Sequence, residues 1–380
     1  MTIVIVEDNY RFIGSGATMS TKRFREELIK LGHTVRILGI GVEGEDMYGI
    51  EDNNVPVISK IALKNNMHFG KFNKEIAAKA FEGADLVHII FPWQNGQRCN
   101  VLAKSMGIPV TAAFHCQPQN MTYYLRLNKI EIVNRLIFYI FKKRLYGNVD
   151  NIHCPSDFTA RELIRHNYKA RLHVISNGIL DCFTPLKTPV EKIDNKIHIL
   201  MTGRLSHEKC QFLLIKAAMC SKYKDRIQLH FVGRGPREKS YKKLGSKLPL
   251  QPIFYTAFLP QNELIALIQS MDLYVHTSEV ELEGLACMEA IACCKVPIIA
   301  NSKTSATPQF ALDERSLFKE GKHLDLSNKI DYWIEHPQER EQMGKEYANL
   351  RTHYNIGNSA IQLEKFFIDA IRDHKIKTEI

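Results

Sequence analysis

Two glutamates, Glu281 and Glu289, stand eight positions apart in a segment that could bind an anionic ligand. An apolar run of strand length, 273–276, precedes them, and the pattern from Gly284 onward is helical. A glycine at a helix start lets unpaired backbone N–H groups approach a ligand, and the helix dipole favours a diphosphate there. Glu289 shares a helix face with Leu285, where it could accept hydrogen bonds from hydroxyls. The spacing therefore predicts a site for an anion that carries a hydroxyl-rich group at each end.

Two cations, Arg204 and Lys209, follow another apolar run, 197–201, that predicts a strand. The planar arginine fork suits a phosphate, and the lysine five positions later adds a mobile positive charge. Ligands of open α/β sheets bind beyond the carboxyl ends of the strands, where both side chains would lie. We expect Arg204 and Lys209 to converge on one anion.

A histidine, His115, stands directly after the apolar run 109–114, at the carboxyl end of another predicted strand. This position favours a ligand contact for the same reason. The chain has 15 histidines, so a surface residue or a hydrogen-bonded core residue is the alternative interpretation.

The chain begins with a strand-like run, 3–6, followed by Gly14 and Gly16 and then by a helical pattern that ends at Gly32. The segment 35–38 predicts a second strand, which completes a β-α-β unit. The glycines lack the spacing G-x-G-x-x-G, so they predict no nicotinamide dinucleotide site. They form either a ligand-binding loop or a tight strand-to-helix turn.

The segment 126–146 has apolar and aromatic residues at helical spacing with basic residues around them. Such a helix can lie in the headgroup layer of an anionic membrane, where each basic residue contributes about 1 kcal/mol. The middle of the segment is apolar on every side, as in a helix buried within its domain. Both interpretations stay open. The basic residues that would contact the membrane are Arg135, Lys142, Lys143 and Arg144.

Length and composition predict two domains. The chain has 380 residues, of which 45% are hydrophobic, so it can bury more than one sizeable core. A stretch poor in apolar residues contains Pro185 and Pro189, and we expect domains at 1–185 and 186–358. Nine cysteines without a C-x-x-C pair indicate reduced thiols rather than disulfides or a zinc site.

The formal net charge of +10 favours an anionic partner, either a nucleotide, a nucleic acid or an acidic membrane surface. The sequence has no nucleic-acid recognition motif, so no nucleic-acid partner is expected. It also has no uncharged apolar run of roughly 18 to 20 residues, and it does not begin with the basic region of a signal peptide. These features predict a cytoplasmic protein.

These segments together resemble the retaining glycosyltransferases of family four, which have the GT-B fold. The resemblance is carried by Asn177-Gly178-Ile179, Gly203-Arg204-Leu205, Glu208-Lys209, Glu281, Gly284-Leu285 and Glu289. It implies an α/β architecture in which two Rossmann-like, doubly wound parallel-sheet domains face each other across a cleft. The first would be the acceptor-side domain and the second the donor-binding domain. A C-terminal helix at about 359–380 would pack back on the first domain.

The resemblance also implies residue roles. Glu281 would orient the donor sugar, and His115 would contact the sugar or the acceptor. Gly14 and Gly16 would approach the diphosphate and the acceptor, while Glu289 would bind the ribose. The residues that would bind the donor diphosphate are Arg204, Lys209, Gly284 and Leu285.

The implied activity is transfer of a hexose, with retained configuration, from a nucleoside diphosphate sugar to a hydroxyl. A UDP-sugar is favoured, with GDP-mannose as the alternative. The acceptor would be a lipid-linked molecule or a glycan of bacterial envelope polysaccharide or glycolipid synthesis. No cofactor and no metal is expected, because Arg204, Lys209 and the helix at Gly284 would stabilise the leaving diphosphate. The enzyme would be cytoplasmic and peripheral to the inner face of the plasma membrane, and its oligomeric state is left open.

The sequence departs from the family at four positions. Cys210, Cys294 and Ala257 stand where glycine is usual, and Glu283 stands where an aromatic residue is usual. Glu283 would add negative charge beside the diphosphate. These departures keep open a catalytically degenerate relative that binds a membrane or a partner. A sugar-nucleotide epimerase of the same fold is a further alternative.

Overall fold

The computed structural model describes residues 1–12, 16–53, 67–123, 127–186, 194–257 and 259–379. The chain folds into two compact units. The first contains residues 1–178 and 356–380, and the second contains residues 179–355. The limits expected from the sequence, 1–185 and 186–358, lie a few residues further along the chain.

The chain leaves the first unit after Gly178 and returns to it at Ile356. Gly178 has a φ of +75°, and a Cβ on it would lie 2.6 Å from the Cα of Ile356. Within the second unit, the amide of Ile179 donates to the carbonyl of Tyr354 at 2.7 Å. Glycine is therefore required at position 178, because only glycine combines this φ with so close a neighbour.

The first unit is built on a parallel sheet. Its strands are β1 (Thr2–Val6), β2 (Thr34–Ile40), β3 (Met47–Ile50), β4 (Leu86–Ile89), β5 (Val110–Ala113), β6 (Asn151–Cys154) and β7 (Arg171–Val174). Their order in the sheet is β3-β2-β1-β4-β5-β6-β7. All residues of β4, β5 and β6 are buried, as expected when helices cover both faces.

The helices of the first unit connect these strands. They are α1 (Gly16–Lys30), α2 (Lys74–Phe81), α3 (Gln94–Ser105), α4 (Pro118–Thr122), α5 (Glu131–Arg144), α6 (Asp157–Arg165) and, from the end of the chain, α13 (Ile356–Glu379). A short 3₁₀ helix follows α5 at Tyr146–Asn148. Among the described residues, no helix combines the length and apolar character needed to cross a membrane.

Helix α13 packs within the first unit. Its Phe366 and Phe367 are buried, and their rings meet that of His88 at centroid distances of 6.1 and 5.1 Å. A hydrogen bond of 2.7 Å joins Nε2 of His33 to the Glu364 carboxylate. The last helix of the chain therefore completes the core of the first sheet.

The second unit is built on another parallel sheet. Its strands are β8 (Ile197–Thr202), β9 (Ile227–Val232), β10 (Ile253–Tyr255), β11 (Leu273–His276), β12 (Pro297–Asn301) and β13 (Leu317–Lys319). Their order is β10-β9-β8-β11-β12-β13. Strands β8 and β11 are neighbours, so the segments that follow them leave the sheet side by side.

The helices of the second unit cover this sheet. They are α7 (Gln211–Cys220), α8 (Glu238–Gly245), α9 (Gln261–Ser270), α10 (Leu285–Ala292), α11 (His323–Glu335) and α12 (Pro337–Asn349), with 3₁₀ helices at Thr307–Phe310, Glu314–Ser316 and Leu350–Thr352. Trp333 on α11 and Tyr347 on α12 are fully buried in the apolar core between sheet and helices. This packing fixes the carboxyl edge of the sheet, where the candidate site lies.

Candidate active site

Two hydrogen bonds join the loops after β8 and β11. The hydroxyl of Thr277 donates to the carbonyl of Lys209 at 2.7 Å, and the amide of Glu279 donates to the carbonyl of Glu208 at 3.0 Å. Two segments that are far apart in the sequence therefore lie together at the carboxyl end of the sheet.

Lys209 and Glu281 form an ion pair on these two loops. The Nζ of Lys209 donates to Oε1 of Glu281, and Nε2 of His276 lies 3.1 Å from the same oxygen. His276 is the last residue of β11 and is only 1% exposed, whereas the Glu281 side chain is 14% exposed. The sequence did not single out His276, although its place at a strand end is the signal that drew attention to His115.

The charge of Glu281 is fixed by its neighbours. Burial favours the neutral carboxyl, but the Lys209 ammonium and the hydrogen bond with His276 outweigh it and hold the pKa well below its ordinary value. Glu281 is therefore a carboxylate at neutral pH. Both protein donors contact Oε1, and in the described part of the chain no residue has a hydrogen bond to Oε2.

Arg204 forms a second ion pair beside the first. Its guanidinium donates to Oε1 of Glu208 at 2.5 Å, and the hydroxyl of Ser206 donates to the same oxygen at 2.7 Å. Burial alone would raise the pKa of Glu208, yet the Arg204 charge and these hydrogen bonds lower it. Arg204 and Lys209 thus each contact a carboxylate of their own, and the predicted common anion would compete with both.

Gly284 starts helix α10 in the left-handed conformation, with a φ of +105°. A Cβ at this position would lie 2.4 Å from Cγ2 of Thr307, so any side chain would displace the 3₁₀ helix behind it. Leu285 is the first residue of α10, and Glu289 lies one turn further on. Both are partly exposed. The start of this helix lies in the second unit with Lys209 and Glu281.

The loop after β12 supports the loop that bears Glu281. The hydroxyls of Ser302 and Thr304 both donate to the carbonyl of Glu279 at 2.7 Å. The amide of Ala306 donates to the carbonyl of Glu281 at 2.9 Å. These three hydrogen bonds hold the backbone on either side of Val280, so the carboxylate projects from a rigid loop.

The departures from the family pattern have clear structural consequences. Glu283 is buried, with 3% of its surface exposed, rather than projecting into solvent. Cys210 and Cys294 have φ values of +55° and +61°, so each keeps the left-handed backbone that a glycine would favour. The backbone conformation is therefore retained at these two positions, at some cost in strain.

His115 lies in the first unit, directly after β5, and is partly exposed. Its ring is nearly perpendicular to that of His153 at a centroid distance of 5.5 Å. Burial and the neighbouring His153 lower the pKa of His115 to about 3, so its imidazole is neutral at physiological pH. A neutral imidazole can both donate and accept a hydrogen bond, as contact with sugar hydroxyls requires.

Two acidic residues that the sequence reasoning missed follow β1. Glu7 is fully buried and accepts a 2.8 Å hydrogen bond from the Thr18 hydroxyl. Burial raises its pKa to about 7. Asp8 accepts hydrogen bonds of 2.8 Å from the amide of Gly70 and the side chain of Asn95. Their place at the end of a buried strand was visible in the sequence.

The glycines after β1 are only partly covered by the structure. Gly16 is the first residue of α1 and is exposed. Gly14 lies outside the described residues. The expected role of this loop therefore stays a prediction.

Helix α5 presents an apolar stripe to solvent. Ile132, Leu136 and Tyr139 are 76%, 57% and 59% exposed, whereas Phe138 and Phe141 are buried. Of the two interpretations left open by the sequence, burial of this helix on every side does not hold, because Leu136 and Tyr139 face outward. The basic residues Arg135, Lys143 and Arg144 are exposed and Lys142 is half-buried, and Arg135 also pairs with Glu131 at 3.0 Å.

Comparisons with known proteins decide the family. A model described as Glycosyltransferase Family 4 matches residues 14–180, and a model described as Glycosyl transferases group 1 matches residues 184–349. The chain belongs to the family-four glycosyltransferases. The matched ranges include Glu281, Glu289, Arg204 and Lys209, on which the sequence resemblance rested, and the family expectation is confirmed.

This glycosyltransferase is similar to two curated enzymes. It is 23% identical to an alpha-monoglucosyldiacylglycerol synthase of Streptococcus pneumoniae, over 100% of this chain and 88% of that one. It is 22% identical to a GDP-mannose-dependent alpha-mannosyltransferase of Corynebacterium glutamicum, over 77% of this chain and 70% of that one. Together with the family match, these relatives identify the protein as a hexosyltransferase.

The fold of the glycosyltransferase is that of solved relatives. An Anabaena protein crystallised with UDP-glucose is 16% identical, and the match covers 97% of this chain and 100% of that one with a TM-score of 0.73. Together with the two parallel-sheet units, this likeness confirms the expected GT-B fold class.

Proposed function

We propose that this glycosyltransferase transfers a hexose, with retention of configuration, from a UDP-sugar to a hydroxyl of a lipid-linked acceptor. GDP-mannose is the alternative donor and a glycan is the alternative acceptor. The observation that carries the proposal is the meeting of Lys209, Glu281 and the start of α10 at one sheet edge. A cation, a carboxylate and the positive end of a helix dipole suit a diphosphate joined to a sugar.

The diphosphate would be bound by positive charge from the protein. Lys209 supplies an ammonium, Arg204 a guanidinium that is partly exposed, and the amides after Gly284 supply oriented dipoles. Charge builds up on the leaving phosphate as the bond to the sugar breaks, and preorganised donors stabilise it most in that state. These groups would do the work of a metal ion, so we propose a metal-independent reaction.

The two signature glutamates would bind hydroxyls at the two ends of the donor. Glu281 is a carboxylate with Oε2 turned away from its protein donors, which suits a hydroxyl of the transferred hexose. Glu289 lies one turn along α10 and would accept hydrogen bonds from the ribose. Leu285 would pack beside the diphosphate at the helix start.

The chemical step would replace one bond at the anomeric carbon by another on the same face. The bond from C1 to the phosphate oxygen breaks, the acceptor oxygen bonds to C1, and the acceptor proton passes to the leaving diphosphate. The neutral imidazole of His115 would hold a sugar or acceptor hydroxyl by a hydrogen bond. The loop with Gly14 and Gly16 would approach the acceptor.

A lipid acceptor is supported by helix α5. Its exposed stripe of Ile132, Leu136 and Tyr139 is flanked by Arg135 and Lys143, which is the composition of a helix that lies in an anionic headgroup layer. The pneumococcal relative is named an alpha-monoglucosyldiacylglycerol synthase, after a glycolipid. We infer a cytoplasmic enzyme that works at the inner face of the membrane in envelope polysaccharide or glycolipid synthesis.

The proposal is tested by a two-step screen. Thermal shifts with UDP-glucose, UDP-galactose, UDP-N-acetylglucosamine and GDP-mannose, with and without a chelator, would select the donor. Radiolabelled transfer from that donor would then be measured with diacylglycerol, glucosyl-diacylglycerol and a soluble glucoside. We expect a lipid product that is unaffected by the chelator. Donor binding without transfer to any acceptor contradicts the proposal, and conversion of the donor sugar without acceptor would show an epimerase instead.

A further inference from the structure

The carboxylate of Glu281 is shared between two protein donors at one oxygen. Lys209 and His276 both contact Oε1, and Oε2 has no hydrogen bond from any residue that the structure describes. Lys209 is a flexible side chain that a diphosphate would attract away. The imidazole of His276 is rigid, fully enclosed and anchored in β11.

The proton on His276 can be assigned from its neighbours. Glu281 is ionised and can only accept, so Nε2 of His276 must donate to it. On the other side, Nδ1 lies 3.4 Å from the hydroxyl of Tyr274, which is itself 3.1 Å from the Thr202 hydroxyl. Burial raises the pKa of Tyr274, so this phenol keeps its proton and can donate to Nδ1.

The result is a buried hydrogen-bonded chain that runs from β8 to the ligand edge. Thr202 and Tyr274 lie inside the sheet, His276 at the end of β11, and Glu281 on the loop beyond it. Each member limits the rotation of the next one. A carboxylate held in this way presents Oε2 in one direction without needing Lys209.

We propose that His276 is a positioning residue of the transfer reaction. It holds Oε1 of Glu281 so that Oε2 points to a hydroxyl of the transferred hexose, including when Lys209 has turned to the diphosphate. This inference rests on the proposed function of Glu281 as a ligand of the donor sugar. His276 acts only through Glu281 and does not touch the substrate itself.

The test compares affinity for the whole donor with affinity for its nucleoside diphosphate alone. The variants are His276→Met, which removes the donor at similar volume, and His276→Gln, whose side-chain N–H can replace it. Calorimetry would give Kd for UDP-glucose and for UDP, or for GDP-mannose and GDP if the screen selects that donor. Turnover would be measured alongside.

We expect His276→Met to leave the affinity for UDP unchanged and to weaken binding of UDP-glucose, with kcat lower by about 10- to 100-fold, the loss typical of a hydrogen bond to a charged group. His276→Gln should recover most of the affinity for UDP-glucose and most of kcat. Equal loss of affinity for UDP and UDP-glucose, or no loss of either, would overturn the proposal.

A matched control is His230→Met on β9. His230 is also a buried histidine of this sheet, but its ring nitrogens contact His198 at 2.9 Å and Tyr255 at 3.2 Å. This variant should lower the free energy of unfolding without changing the ratio of the affinities for UDP-glucose and UDP. If the wild-type protein bound UDP but gained no affinity from any sugar, Glu281 would have no sugar to orient, and both the proposed function and this inference would fall.

Discussion

The ammonium of Lys209 is paired with the carboxylate of Glu281. Arg204 is likewise paired with Glu208. Both cations of the candidate diphosphate site are therefore paired with carboxylates of the protein. Binding of the donor must share or displace these ion pairs, which links the affinity for the diphosphate to the charge of Glu281.

Replacement of Glu281 by glutamine should separate binding from catalysis. Lys209 loses its counter-ion in Glu281→Gln, so UDP should bind up to about tenfold more tightly, which is about 1.4 kcal/mol. Transfer should fall by roughly 100-fold or more, because the sugar loses its carboxylate. Calorimetry and transfer assays measure the two effects. Glu341→Gln on α12 makes the same change in net charge on an exposed carboxylate and should leave both unchanged.

The apolar stripe of α5 should be required for membrane binding. Replacement of Ile132, Leu136 and Tyr139 by serine removes exposed apolar surface, so stability should change little while sedimentation with anionic phosphatidylglycerol vesicles is lost. The matched control is Ile361→Ser with Ile368→Ser, which removes exposed apolar side chains from α13. Vesicle binding that survives the α5 substitutions but not those in α13 would move the contact to the C-terminal helix.

The basic residues at the end of α5 should strengthen membrane binding through their positive charge. Replacing Lys142, Lys143 and Arg144 by glutamine should weaken vesicle binding by about 3 kcal/mol at low salt, at about 1 kcal/mol for each basic residue. The difference from wild type should shrink as salt is added, since screening weakens the attraction. A difference that is independent of salt would argue against an electrostatic contact.

Glycine in place of the left-handed residue Cys294, which follows α10, should raise the stability of the protein. Cys294 has a φ of +61°, a conformation that costs a non-glycine residue roughly 1 to 2 kcal/mol. Part of that strain is offset by the greater unfolded-state entropy of glycine, so Cys294→Gly should stabilise the protein by up to about 1 kcal/mol. Urea unfolding would measure this. Cys220→Gly, at the last residue of α7, should instead destabilise it.

Glu7 should make stability depend on pH. Burial raises its pKa from 4.5 to about 7, so the folded state favours the protonated carboxyl. This contribution is complete below about pH 4.5 and is lost as the pH rises through 7, which amounts to roughly 3 kcal/mol. Glu7→Gln should flatten the stability profile between about pH 5 and 8 in urea unfolding, while Glu26→Gln, an exposed residue of α1, should leave its slope unchanged.

Much of the fold could be predicted from apolar runs. The buried central strands β1, β4, β5, β8 and β11 each carry one, because both faces of these strands are covered. The edge strands β3, β10 and β13 have only three or four residues and are partly exposed, so their apolar residues are too few to predict a strand. The pattern of α5 likewise could not show which of its apolar residues face the core.

The candidate site was only partly visible in the sequence. Arg204, Lys209, Glu281 and Glu289 could be selected because their types and strand-end positions suit a nucleotide sugar. Their mutual pairing could not be predicted, since it depends on which loops the sheet order brings together. His276 was missed although it ends a strand, because its hydrogen bond to Glu281 exists only after the loop beyond β11 has folded back.

The central claim is that this enzyme transfers a hexose with retention from a nucleoside diphosphate sugar bound by Lys209 and Glu281. The most direct measurement is proton NMR of the product formed from the α-linked donor, with wild type and Glu281→Gln compared under the same conditions. An α-linked product from wild type, formed in the presence of a chelator and almost absent with Glu281→Gln, is the predicted result. A β-linked product, or equal turnover by the two proteins, would contradict it.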